Sequence, residues 1–358
     1  MLKIDRKYNK IYAAVNNKSF ERIIVCSTLA AITYMSINKK KILAIPAMLL
    51  TTIIWGISFV VMKNSLDSFM PAQLISLRFA IASLVLALLF IKEWKYFNLK
   101  VLFHGFLIGL FTFIAYMFQT YGLNMTTPGK NAFLTTFYCV LVPFVSWAVN
   151  KQKPKKKNLI SAILGIIGIG LISLDLVGNE FIPNIGDFLT LVCSIFFALQ
   201  ITYQNKFSKD SNLFILSTIS TAFIALFSFI FSLIVEGPYP QLQGSMLPSL
   251  AFLALGATAL CMMLQNFGLK YSNPNEGAIV LSLEAVFGTI ASFIAGYEQF
   301  DLQKEIGFLV VFAAVFISQF DFSKWQKKKE SNTEVKTEET NTDIMDDKNE
   351  NVTNKGAV

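Results

Sequence analysis

The sequence predicts an all-α membrane protein of ten transmembrane helices, arranged as two inverted five-helix repeats with both termini in the cytoplasm. Three observations carry this. Of the 358 residues, 54% are apolar and only 15% are charged, against about 45–50% and about 25% in an ordinary soluble domain; mean hydropathy is +0.54. The apolar residues fall in runs of roughly 20, the length a helix needs to cross about 30 Å of hydrocarbon. The second half of the chain also repeats the first. This composition excludes a soluble enzyme, a secreted disulfide scaffold and a DNA-binding domain.

A window of about 19 residues places the first five spans at Ile42–Met62, Pro71–Ile91, Val101–Leu123, Thr127–Val149 and Leu159–Leu176. The second five follow at Gly186–Lys206, Leu213–Val235, Met246–Leu269, Asn273–Gly296 and Ile306–Phe322. Lys39–Lys41 precede the first span, Pro71 opens the second, and Thr127-Pro128 opens the fourth. Pro183, Pro248 and Asn273-Pro274 break or cap helices at the sixth, eighth and ninth. Alternate loops hold 18 lysines on one side (Lys39 to Lys41, Lys92, Lys95, Lys100, five between Lys151 and Lys157, Lys206, Lys209, Lys270, Lys324 and Lys327 to Lys329) and three on the other (Lys63, Lys130, Lys304). Positive-inside bias therefore puts both ends in the cytoplasm.

The net charge of +8 does not signal nucleic acid, because only three of the 31 basic residues are arginines, Arg6, Arg22 and Arg78, and topology explains the lysines. Cys26, Cys139, Cys193 and Cys261 stand isolated in apolar stretches, and His104 is the single histidine. No metal-ligand spacing results, and no metal or cofactor is expected. Residues 1–41 read as an N-terminal extension. Met35 stands where a start codon would suit the ten-helix unit, so residues 1–34 are read as a mis-assigned translational extension. Residues 323–358, rich in Lys, Glu, Asp, Asn and Thr, read as a disordered cytoplasmic tail.

At an offset of 146 residues, Thr112, Gln119, Gly122, Leu123, Pro128 and Ala132 match Thr258, Gln265, Gly268, Leu269, Pro274 and Ala278. Each half, 42–176 and 186–322, holds five spans. Five is odd, so the second half enters the membrane from the opposite side.

The halves resemble the two EamA domains of the drug/metabolite transporter superfamily of ten-helix carriers. In the first half the resemblance rests on Trp55-Gly56, on Arg78-Phe79 after Pro71, and on Asn131-Ala132-Phe133-Leu134 leading to Val142-Pro143-Phe144. In the second it rests on Gly186-Asp187, on Ala278 followed by the run Leu281 to Phe287, and on Glu298 before Gly307. Ala285 departs from a frequent proline, and Tyr297-Glu298 from a more usual Gly-Glu. The resemblance implies a secondary transporter in the lipid bilayer, often an exporter of amino acids or other small metabolites.

The residues themselves show no Ser/His/Asp set, no HExxH and no Walker glycine loop. Gly165-x-x-Gly168-x-Gly170 lies inside a span and reads as a packing face. Carriers built from inverted repeats bind solute near the midplane, so the candidates are polar residues at mid-span. Glu284 comes first. An ionised carboxylate there costs at least ~2.5–3.5 kcal/mol; it is either a neutral structural carboxyl or a group in substrate or proton coupling. Arg78, two turns into the second span, either holds a solute carboxylate, pairs with Glu284, or snorkels to headgroups. Thr112, Tyr116 and Gln119 share one helix face, repeated by Thr258 and Gln265 with Met262 between them. Gln200, Tyr203 and Gln204 add a third patch; Trp55 and Asn131 complete the set. For each, hydrogen bonding between helices is the competing reading.

The expected function is alternating-access transport of a small polar or amphipathic metabolite, by export, with protons as candidate partners. Import or exchange on the same fold is the alternative within the class. A membrane receptor or sensor, and an intramembrane enzyme, are the alternatives outside it. The repeat argues against both, since it supplies the two related conformations that alternating access requires.

Overall fold

A computed structural model describes residues 37–151, 153–154, 156–173, 184–271, 277, 280–298 and 301–319. The proposed extension up to residue 36 and the tail after 319 lie outside the described residues. All regular structure among the described residues is helical. The first half contains α1 (Ile37–Ser65), α2 (Pro71–Leu89), α3 (Leu99–Met125), α4 (Pro128–Thr135 continuing as Tyr138–Asn150) and α5 (Lys156–Ser173). The second contains α6 (Ile185–Ser208), α7 (Leu213–Phe231), α8 (Leu247–Ala251, Phe252–Leu260 and Cys261–Tyr271), α9 (Val280–Ile294) and α10 (Leu302–Gln319).

Seven of these are long and apolar enough to cross a membrane: α1, α2, α3, α4, α6, α7 and α8. The other three occupy the places of the fifth, ninth and tenth expected spans. Side-chain caps start several helices where the sequence offers an oxygen. Asn98 accepts from Val101 N at 2.9 Å, Thr127 accepts from Lys130 N, and Asn212 accepts from Phe214 N and Ile215 N. Prolines at the first position of α2 and α4 need no hydrogen bond there.

In the bundle, α3 packs on α6 and α7, α2 on α7 and α8, and α1 on both α8 and α9. The first segment of α4 lies against α6 and α9. Leu84, Leu88, Phe188, Leu226, Phe293 and Leu309 face outward, while amides, hydroxyls and two ionisable side chains, Arg78 and Glu284, point inward. That distribution suits a surround of hydrocarbon, where every inward polar group needs a partner.

Two glycines bring α9 close to the site. A Cβ at Gly56 would stand 2.5 Å from Phe287 Cβ and 2.8 Å from Gly288 N, and one at Gly288 would stand 2.6 Å from Ala132 Cβ. Only missing side chains let α1, α9 and α4 approach this far.

Candidate functional site

The site begins with two broken helices. α4 leaves helical geometry at Thr136 and Phe137 and resumes at Tyr138; α9 turns at Leu283 and resumes its regular run at Glu284. Tyr138 and Glu284 are 146 residues apart, the repeat offset. The same fault thus occurs at equivalent positions in both halves. Irregular backbone at membrane depth is tolerated where protein or a cavity satisfies it, and Thr136 Oγ1 donates back to Phe133 O at 2.8 Å.

Between the breaks lies a cavity of about 510 Å³, of which only about 30 Å³ admits the centre of a water molecule. That is room for about two waters, so the walls stand close together. Repeat one contributes Trp55, Ser58, Phe59, Met62, Arg78, Thr112, Tyr116, Gln119, Thr135 and Tyr138. Repeat two contributes Phe197, Gln200, Ile201, Met262, Gln265 and Glu284. Of the residues singled out from sequence, Glu284, Arg78, Gln119, Gln265, Tyr116, Trp55 and Gln200 meet here, with Thr112 and Met262.

Glu284 is 4% exposed and takes a hydrogen bond from Tyr138. Arg78 is 1% exposed, which removes the snorkelling reading. Its Nε donates to Thr258 Oγ1 at 3.0 Å and Nη1 to Met62 Sδ at 2.8 Å. The guanidinium carbon lies 5.0 Å from the Tyr116 ring centroid and 5.1 Å from that of Phe79, within cation–π range. Among the described residues no ion pair joins Arg78 to Glu284; the two line one cavity without meeting.

A π-helical stretch, Phe252–Leu260, sets the α8 side. Thr258 Oγ1 donates to Leu253 O at 2.7 Å, five residues back, and so presents its lone pairs to Arg78. Ala257 O accepts Trp55 Nε1 at 2.8 Å, fixing the indole. Such stretches recur at functional sites. Gln119 Nε2 donates to Thr135 Oγ1 at 3.1 Å, and Gln200 bonds Gln204. Gln265 Oε1 is buried and finds no hydrogen-bond partner.

Asn131 and Tyr203 lie outside the cavity lining. Asn131 Nδ2 donates to Gln119 O at 3.1 Å and Thr190 Oγ1 at 2.7 Å, bracing α3, α4 and α6. Tyr203 stacks on Phe111 and packs on Phe207. Sequence reasoning missed Tyr138 and Thr135, although adding the repeat offset to Tyr138 gives Glu284.

A second polar cluster ties the bundle end where α3 finishes and α4 and α6 begin. Lys130 Nζ pairs with Asp187 Oδ2 at 2.6 Å, and Thr126 Oγ1 donates to Asp187 Oδ1 at 2.7 Å. Thr127 donates to Glu298, and Lys63 Nζ donates to the carbonyls of Leu123, Asn124 and Thr126 at 2.8–3.0 Å. In the loop before α10, the Lys304 ammonium holds the Asp301 carboxyl below its usual range.

The family model of EamA-like transporters matches residues 42–174 and 184–320. A transporter of uncharacterised role from Archaeoglobus fulgidus is 32% identical over 280 residues, covering 78% of this chain and 87% of its own. Two such transporters from Bacillus subtilis, YoaV and YetK, are 23% and 27% identical and cover 76% and 78% of this chain and 95% and 88% of their own. One crystal structure aligns with TM-score 0.58 at 16% identity over 77% of this chain and 96% of that one, a likeness of fold. The two matched segments coincide with the two halves that share the broken helices, and the chain is a member of the EamA-like transporter family.

Proposed function

We propose that this protein is a secondary carrier that exports a small polar or amphipathic metabolite across the cytoplasmic membrane by alternating access, with Glu284 exchanging a proton during the cycle. Ten crossings with both termini inside complete the reading. The observation that carries it is the pair of equivalent helix breaks placing Tyr138 and Glu284 in one cavity lined by both repeats. Two related halves around one polar cavity provide two related openings, one to each side. Export rests on the family resemblance, and proton exchange on a buried carboxyl with no cationic partner.

The groups near Glu284 are Tyr138 and Cys139 on α4, Tyr116 on α3, Cys193 on α6 and Cys261 on α8, with Arg78 across the cavity. Among these lining groups, only Arg78 carries a permanent charge. Protonation of Glu284 therefore changes the cavity's net charge by one unit, which links a proton to the solute's charge.

Untargeted metabolite comparison of a deletion strain with an overexpressing strain tests the reading. A solute that accumulates inside the deletion strain and moves in proteoliposomes of the purified protein supports export. One depleted in the deletion strain shows import, and identical metabolite profiles with silent proteoliposomes contradict transport.

A further inference from the structure

Arg78 holds a full positive charge in the interior, yet its neighbours are neutral. Thr258, Met62 and Tyr116 take its donors, and the Phe79 and Tyr116 rings flank it. No acidic side chain among the described residues forms an ion pair with it. A buried charge without a counter-ion is costly, and a fold keeps one where the missing charge arrives with a ligand. Gln265 Oε1, on the α8 wall of the same cavity, is a buried acceptor without a donor.

We propose that Arg78 is the anchor for a carboxylate on the transported solute, and that Gln265 accepts a hydrogen bond from an N–H or O–H beside that carboxylate. The solute is then an amino or hydroxy acid with an apolar body laid against Trp55 and Phe197. This rests on the carrier reading above and deepens it.

The guanidinium fork matches a carboxylate in plane, with two parallel N–H···O bonds. A phosphate dianion fits less well, because Arg78 is the sole basic side chain among the lining residues and a second negative charge would stay uncompensated. A cationic amine without a carboxylate would meet Arg78 as a like charge. The Gln265 oxygen has nothing to accept from a simple monocarboxylate, so the adjacent donor sets preference between acids.

Competition in proteoliposomes of the full chain tests this. The probes are the proteinogenic amino acids and small hydroxy acids, each beside its amide and its decarboxylated amine or alcohol. The proposal expects the acids to be moved at least tenfold better than their amides. It expects Arg78→Gln to abolish that preference, Arg78→Lys to keep it at least tenfold weakened, and Gln265→Leu to narrow the gap between an amino acid and the carboxylate lacking its amino group. Wild-type discrimination is read without any variant, and Arg78→Lys keeps the charge should Arg78→Gln misfold. Equal transport of acids and amides, or unchanged acid preference in a folded Arg78→Gln, overturns the carboxylate assignment and leaves the carrier reading standing. Movement of no probe by the wild-type protein overturns both.

Discussion

Replacing Asp187 by Asn removes one charge from a closely built pair and leaves the rest of the site in place. Lys130 Nζ and Asp187 Oδ2 are 2.6 Å apart, with side chains 13% and 1% exposed. Asparagine keeps an acceptor for Thr126 Oγ1, so the change isolates the ion pair. Removing one partner of a buried pair costs about 3–5 kcal/mol because the other charge is stranded. Lys130 retains some access to water, so the lower end applies, about 3 kcal/mol, or on the order of a hundredfold in the folding equilibrium. Losing both charges together in Lys130→Met/Asp187→Asn strands neither, and most of the loss should return. A double-mutant cycle on thermal stability in one detergent measures this. A loss below about 1 kcal/mol for Asp187→Asn, with additive effects in the double variant, would refute the reasoning.

Glu284→Gln keeps size and much of the hydrogen bonding with Tyr138 but cannot titrate; pH-gradient-driven transport should fall strongly while solute exchange and folding survive, and normal gradient-driven transport would end the proton role. Gly56→Val should destabilise severely and abolish transport, because its first added carbon already falls 2.5 Å from Phe287 Cβ and 2.8 Å from backbone; wild-type melting would show that α1 and α9 are not so close. Cysteine labelling should find positions 155 and 327 cytoplasmic and positions 180, 236 and 301 external. Labelling of 155 and 236 from one side would break the ten-crossing topology.

The helical class, seven of the spans and the two-repeat plan were legible because hydrocarbon imposes length and apolarity on every crossing. Much of the cavity lining was legible for a related reason. A Glu, an Arg and several Gln in runs otherwise free of such groups stand out when burial is expensive. Asn131 stood out equally, yet it braces backbone and hydroxyl partners between three helices, because composition reveals polarity and not the direction in which a side chain points. Tyr203 was grouped with Gln200 by spacing, but its large ring is taken up by Phe111 and Phe207. Tyr138 was hidden as one aromatic in an apolar run, and the break that aims it inward leaves no local signal beyond Thr135-Thr136. The π stretch of α8, which turns Thr258 toward Arg78, depends on one extra residue per turn that no periodicity in LALGATAL announces. Lys130 was read as an exposed loop charge, whereas the start of α6 places Asp187 against it.

The central claim is that the cavity between the two repeats opens in turn to each side of the membrane. Gln265→Cys, in a background with the four native cysteines replaced, puts a thiol on its wall. Charged thiol reagents that do not cross lipid, applied separately to right-side-out and inside-out vesicles, read which side reaches it. Labelling from both sides, slowed in each case by the transported solute, is the expected result. A variant that transports normally yet is labelled from one side only, or from neither, would contradict alternating access through this cavity.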